Sequence, residues 1–205
     1  DFIDYFALDE NNIAVILGDV MGKKWGAWYF AFAYAGYVRS ALRIVLQTAK
    51  EYDTSKILQQ VNNSVYQDAK ISEVFATLSI LILNNEQKTV KYSGAGDLPI
   101  FYKSAESNQV RKIQAAGKLL GFGAEGSYEE VTLNFNQNDM IYLITDGILE
   151  SRNTAGEQFG ITGLEKLINS INYDDDTIQK IQANFRAFTG NQFDDDISLI
   201  TIKAN

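Results

Sequence analysis

Aspartate recurs beside the apolar runs of this 205-residue chain, and that pairing is where its chemistry starts. "IAVILGDVMGKK" carries a run of Ile, Val and Leu up to Asp19, set between Gly18 and a glycine-containing turn. "MIYLITDG" runs into Asp146 and Gly147, and "FDDDISLI" sets Asp194, Asp195 and Asp196 before the run Ile197 to Ile202. Asp1 and Asp4 flank the first apolar run. One aspartate after a strand is ordinary turn chemistry, because its side chain bonds the following backbone. Acids at the ends of four apolar runs exceed what turns need. If those ends meet at one edge, they make an all-oxygen pocket for two divalent cations, and without cations such a cluster repels itself. The run Asp174 to Asp176 reads differently. It precedes a helix start and suits an N-cap at the positive end of a helix dipole.

Composition narrows the chemistry further. The chain has no Cys and no His, which excludes disulfides, thiolate nucleophiles, imidazole or thiolate zinc sites and histidine-based triads. Any metal must be held by oxygen, which suits Mg, Mn or Ca. With 18 Lys plus Arg against 26 Asp plus Glu, the net charge is -8. That disfavours nucleic acid or an anionic membrane as the main partner. No apolar run is long enough to span a bilayer and no basic leader is visible, so cytoplasm is the expected compartment.

The elements that must position these acids follow from hydrophobic period. "DFIDYFAL" and "NIAVILGDV" read as a hairpin joined by "DENN". From Trp25 to Lys50 a helix rich in Ala and aromatics is apolar all round and then amphipathic, which predicts a largely buried element. A second helix is expected from a Thr54 or Ser55 cap to about Ala69, with Ile57, Leu58, Val61 and Val65 inward. Strands follow at "FATLSILILN", "TVKYSGAG", "LPIFYK", "VRKI", "YEEVTLNF" and "DMIYLITDG". "NNEQKT" joins the first two of these, and Pro99 opens a strand where it removes no ladder bond. Helices at Ile161 to Ser170 and Thr177 to Thr189 precede a last strand, "ISLITIKA". Grouped rather than alternating elements predict one α+β domain with antiparallel sheets. The chain opens at Asp1 within an expected strand, as a piece cut from a longer protein would.

Two tempting motifs fail on spacing. A phosphate loop needs four residues between its glycines and a Ser or Thr after the lysine, whereas Gly18 and Gly22 have three between them and Lys24 follows Lys23. The aromatic set Trp25, Trp28, Tyr29, Phe30, Phe32, Tyr34 and Tyr37, with Ala interleaved at helical spacing, reads as a packed helix and not a ligand box.

In order along the chain, "GDVMGK", "FATL", "GAGDLP", "LLGFG", "YLITDGILESRNTAGEQFG" and "DDISLI" resemble the metal-dependent protein phosphatases (PPM), in their bacterial SpoIIE/RsbU-like branch. The resemblance covers essentially the whole chain. It implies an α-β-β-α sandwich, two antiparallel sheets flanked by helix pairs, with two Mn2+ or Mg2+ ions. By motif, Asp19 would bridge the ions with support from the Val20 carbonyl, Asp1 would serve the second ion, and Asp146 and Asp195 would complete the first. Asp4 and Asp196 are lesser candidates. The chain departs from the family pattern in lacking two glycines before Asp1, in Lys24 where relatives have glycine, and in Asp97 where they have histidine.

The function implied is hydrolysis of phosphoserine or phosphothreonine by water activated between the two ions, with Lys23 or Lys24 as steering charges. The substrate class implied is a phosphorylated regulator of the anti-sigma-factor antagonist (STAS) type. Residues 1–205 would then be the output domain of a longer regulator, driven by an upstream sensor or receiver domain through the first two helices; homodimerisation stays open. A different class remains beside it, a catalytically weak module that binds metal or a partner. Phosphoryl transfer on nucleotides or nucleic acid is disfavoured by the acidic charge and the missing phosphate loop.

Overall fold

The first hairpin shows how local chemistry sets the architecture. Asp9 Oδ1 accepts from the backbone of Asn11 at 2.8 Å and of Asn12 at 2.8 Å, closing the turn between β1 (Phe2–Ala7) and β2 (Asn12–Gly22). The turn sets an antiparallel register in which Phe2 faces Gly18. Gly18 is required there, since a Cβ would overlap the Phe2 ring. The computed structural model describes residues 1–22, 27–171 and 177–205. Those residues form two compact units, the first comprising Asp1–Pro99 and Gln114–Phe135, the second Ile100–Ile113 and Asn136–Asn205.

In the first unit β1 and β2 continue into β3 (Val74–Asn84), β4 (Thr89–Ala95) and β7 (Val131–Asn134), in the order β1-β2-β3-β4-β7. Every pairing is antiparallel. Ala14, Ile16, Ala76, Leu78, Ile80 and Ile82 alternate onto one face and are buried against α1 (Ala27–Thr48) and α2 (Thr54–Ser72). The period of 2.0 on the strands and 3.6 on the helices selects these residues from the sequence.

Two expectations for these helices change. The predicted Trp25 start lies outside the described residues, and α1 is not buried all round: Phe32 is 83% exposed and Ile44 62%, while Tyr34, Val38, Leu42 and Val45 are buried. The buried set recurs every three to four residues, so Phe32, Tyr37 and Ile44 fall on the more exposed side. The cap of α2 is Asp53 and not Thr54 or Ser55. Its carboxylate accepts from Lys56 N at 3.1 Å and from Ser55 Oγ at 2.6 Å. Burial opposes its charge, but the bonds from Ser55 and Lys56 win and hold it down to about 2. Thr54 is turned elsewhere, bonding Glu130 and Ser93.

The second unit holds β5 (Ile100–Lys103), β6 (Val110–Ile113), β8 (Met140–Ile144) and β9 (Leu199–Lys203), ordered β6-β5-β8-β9 and again antiparallel throughout. Its helices are α3 (Asp146–Glu150), α4 (Gly160–Ser170) and α5 (Thr177–Thr189). Lys103, only 7% exposed, ties sheet to helix by donating to the carbonyls of Ile168 and Ile171 at 3.0 and 2.9 Å. These are terminal carbonyls of α4, where a cation also meets the negative end of the dipole. Desolvation lowers the Lys103 pKa. The expected cap at Asp174 to Asp176 lies outside the described residues. Two antiparallel sheets with helices are the α+β arrangement that the grouped order of elements predicts.

Candidate metal centre

Asp19 does not end its strand. β2 runs on to Gly22, and Asp19 sits within it, paired with Thr77 of β3. The apolar run stops there because the side chain changes character, while the ladder continues through Val20↔Ala76 and Met21↔Phe75. Asp1 precedes β1, whose Phe2 pairs with Gly18, so the backbone of Asp1 runs beside Asp19. Val20 follows in the same strand and is half-buried.

Asp4, the lesser candidate on β1, is engaged by two arginines. It lies inside β1, paired with Ile16, and its Oδ2 is taken by Arg39 at 2.7 Å and Arg43 at 3.4 Å, both on α1. Burial works against its charge, but the Arg39 hydrogen bonds and the two guanidinium charges prevail and lower its pKa. It is a structural anion.

In the second unit, Asp146 is the first residue of α3, a short helix absent from the sequence reading. Five residues are too few to show a helical period. β8 stops at Ile144, and Thr145 then exchanges bonds with Ser198, its nitrogen donating to the Ser198 carbonyl at 3.2 Å and its Oγ1 accepting from Ser198 N at 3.1 Å. That exchange sets the Asp194 to Asp196 bend beside the start of α3. Gly147 makes the approach possible, because its Cα lies against the Asp196 carbonyl where a Cβ would overlap it. Asp195 is exposed and accepts from Asp196 N at 2.8 Å.

The distinctive motif after Asp146 is scaffold. Ser151 Oγ donates to the Gly147 carbonyl at 2.6 Å and Phe159 N to the Ser151 carbonyl at 2.8 Å, while Asn153 Oδ1 accepts from Ala155 N and Glu157 N. Gly156 and Gly160 take positive φ, and Phe159 packs edge-on against Phe185 and Phe188. "SRNTAGEQFG" thus builds a pinned loop that fixes the end of α3 and the start of α4.

Strand pairing sets the backbone of Asp1 beside Asp19 in one unit, and the start of α3 lies against the Asp196 carbonyl in the other. Among the described residues, no three carboxylates gather closely enough to hold an ion. The donor set still fits the implied metal by its chemistry. Asp1, Asp19, Asp146, Asp195 and the Val20 carbonyl are all hard oxygen donors, which suit Mn2+ or Mg2+. Lys23 and Lys24 lie outside the described residues.

A further acid stands out. Asp97, where the resemblance implies a histidine, turns inward: its Oδ2 accepts from Ser79 Oγ and from Tyr92 OH, the latter at 2.8 Å. Desolvation raises its pKa to about 6, against the opposing pull of the Ser79 and Tyr92 bonds. The only signal in the sequence was the departure itself, since Ser79 and Tyr92 become its neighbours only through strand pairing.

Known proteins bear on this arrangement. The chain is 27% identical over 154 residues to the phosphoserine phosphatase RsbU of Bacillus subtilis (strain 168), covering 74% of this chain and 43% of that protein. It therefore spans less than half of that relative's length. Among solved structures, the SiaA-PP2C domain of Pseudomonas aeruginosa matches with a TM-score of 0.84 at 14% identity, covering 100% of this chain and 80% of that one. The PP2C phosphatase domain of SpoIIE from Bacillus subtilis, solved with a fragment of its regulatory domain, matches with a TM-score of 0.81 at 19% identity, covering 98% and 57%. At such identities the likeness shows the fold, which is the PP2C fold that the motifs implied. The family model described as Stage II sporulation protein E (SpoIIE) matches residues 9–205, and the chain belongs to that family.

Proposed function

We propose that this chain hydrolyses phosphoserine or phosphothreonine on a regulatory protein, as a divalent-metal-dependent phosphatase. The observation that carries the reading is the ordered set of aspartates, Asp19 with Asp1 on one unit and Asp146 with Asp195 on the other, within a SpoIIE-family chain. Asp1, Asp19, Asp146 and Asp195, with the Val20 carbonyl, would hold two Mn2+ or Mg2+ ions. When bound, such ions supply Lewis acidity toward phosphate oxygens and activation of the attacking water. The protein's own part is to fix these carboxylates. Asp19 is held by the β2–β3 ladder, and Asp146 by the Thr145–Ser198 exchange and the pinned loop after α3.

The reaction is a displacement in which the water oxygen bonds phosphorus as the ester P–O bond breaks, and the departing serine or threonine oxygen takes a proton. With no Cys and no His in the chain, no thiolate attacks and no imidazole carries that proton. Two supports bear on the substrate. The relative RsbU is named a phosphoserine phosphatase, and the net charge of -8 disfavours nucleic acid. By family analogy the phosphoprotein is of the STAS type, and residues 1–205 are the output domain of a longer regulator.

A substrate panel tests the class. With Mn2+ present, phosphate release from phosphoserine and phosphothreonine peptides is expected to exceed that from a phosphotyrosine peptide and from ATP. Faster turnover of ATP than of every phosphopeptide would overturn the protein-phosphatase reading. Tight Mn2+ binding with no turnover of any ester would replace it with a binding module.

A further inference from the structure

Asp97 faces inward onto two hydroxyls, those of Ser79 and Tyr92, with no basic side chain bonded to it. Its two oxygens are unequal. Oδ2 accepts from Ser79 of β3 and Tyr92 of β4. Oδ1 lies over Gly94, where a Cβ would collide with it, and its side-chain partner is the Gln114 amide at 3.5 Å, while the residue's own backbone N–H also bonds the carboxyl. The same amide reaches the Asp97 carbonyl at 3.4 Å and the Ala115 carbonyl at 3.2 Å. Asp97 and Gln114 flank the segment Ile100–Ile113 that belongs to the second unit, so this carboxyl ties the chain where it leaves the first unit to the chain where it returns.

The ladder relates Asp97 to Asp19. Asp19 faces Thr77 and Leu17 faces Ser79 across the β2–β3 pair, and Ser79 faces Gly94 across β3–β4. Side chains directly opposite, and those two residues apart on a strand, share a face. Asp19, Thr77, Ser79 and Tyr92 therefore lie on one face of the sheet, and Asp97 is bonded to that face through Ser79 and Tyr92. It is the face opposite the one that packs on α1 and α2.

We propose that Asp97 is a positioning residue whose carboxylate, by holding Ser79 and Tyr92, orders the sheet face that presents Asp19, and whose protonation loosens that face. The proposal rests on the phosphatase reading only for its effect on rate. As an anion Asp97 satisfies two hydroxyl donors at Oδ2; a proton on Oδ1, the oxygen that neither hydroxyl uses, makes the group a weaker acceptor for both. Burial places the change near neutral pH, at about 6. Ser79 from β3 and Gln114 from the returning segment carry no charge, and Tyr92 from β4 is the one titratable partner. Burial, then the Asp97 charge, raise the Tyr92 pKa far above neutrality, so it stays a donor throughout.

The test uses the full chain, its Asp97→Asn variant and, in case the amide disturbs folding, Tyr92→Phe. Backbone amide shifts of Thr77, Ser79 and Asp19 are followed by NMR from pH 4.5 to 8, with hydrolysis of p-nitrophenyl phosphate in Mn2+ measured alongside. The expected result is a common titration of these amides with a midpoint near 6 in the wild type, absent in Asp97→Asn and displaced in Tyr92→Phe. Hydrolysis should lose its acid limb near the same pH in Asp97→Asn, with kcat reduced on the order of tenfold and KM little changed. Amide shifts of Asp19 that are flat in the wild type, or that titrate identically in Asp97→Asn, overturn the proposal whatever the activity. The expected titration in a protein that hydrolyses no ester would uphold the positioning of Asp19 and overturn the phosphatase reading instead.

Discussion

Asp19→Asn is expected to reduce Mn2+-dependent hydrolysis of a phosphoserine peptide by at least about 100-fold. Groups that merely support a metal ligand cost about 10- to 100-fold when removed, and a direct ligand should cost no less. The substitution keeps the size of the side chain and removes its charge, and Asp19 lies in a ladder continuous from Asn12 to Gly22, so the fold should be retained. Asp146→Asn should act alike from the other unit, where the residue opens α3. Asp4→Asn is the control. It sits one strand away from Asp19, but its carboxylate is occupied by Arg39 and Arg43, so its loss should lower stability slightly and leave turnover near wild type. Parallel steady-state assays and near-UV circular dichroism on the three variants check this. Full activity in Asp19→Asn would remove it from the site.

Gly147→Ala is expected to cost roughly 3 kcal/mol of stability, at the upper end for overpacking by one methyl, and to lower activity with it. The obstacle is the Asp196 backbone carbonyl, which cannot rotate away as a side chain would. Relief requires moving the Asp194 to Asp196 bend away from α3, and that separates Asp146 from Asp195. The internal comparison is Gly36→Ala in α1, where nothing lies within 4 Å of the added carbon. Alanine there should stabilise by roughly 0.5–1 kcal/mol through helix propensity. Urea unfolding of both variants reads the contrast directly; equal effects of the two would mean that the approach of Gly147 to Asp196 does not matter.

Much of this fold was legible because its strands are short apolar runs, such as those of β3, β5 and β8, set between polar turns. Ala76, Leu78, Ile80 and Ile82 announce one buried face of β3, and Asp9 with Asn11 and Asn12 announces the first turn. What was not legible depended on partners distant in sequence. Asp53 displaced Thr54 as the cap because Glu130, from a segment 76 residues away, claims the Thr54 hydroxyl and nitrogen. Phe32 and Tyr37 of α1 read as buried because hydropathy cannot say which side of a helix meets a sheet. For the site, the residue types and their order were plain, whereas the backbone around them was not. Asp19 lies in mid-strand, Asp146 starts a helix too short to show a period, and Asp4 belongs to two arginines of α1. Asp97 gives the clearest case. Its sequence context suggested only a lost imidazole, and its role as an inward carboxylate emerges from the β3–β4 pairing that sets Ser79 and Tyr92 side by side with it.

The central claim is that oxygen ligands alone equip this chain for metal-dependent hydrolysis of phosphate monoesters. Phosphate release from p-nitrophenyl phosphate by the full chain, after chelation and again after Mn2+ is restored, tests it most directly. The account predicts no release in chelator and recovery of steady turnover with Mn2+. Turnover that persists undiminished in chelator, or a folded protein that binds Mn2+ and releases no phosphate at any concentration, would contradict it.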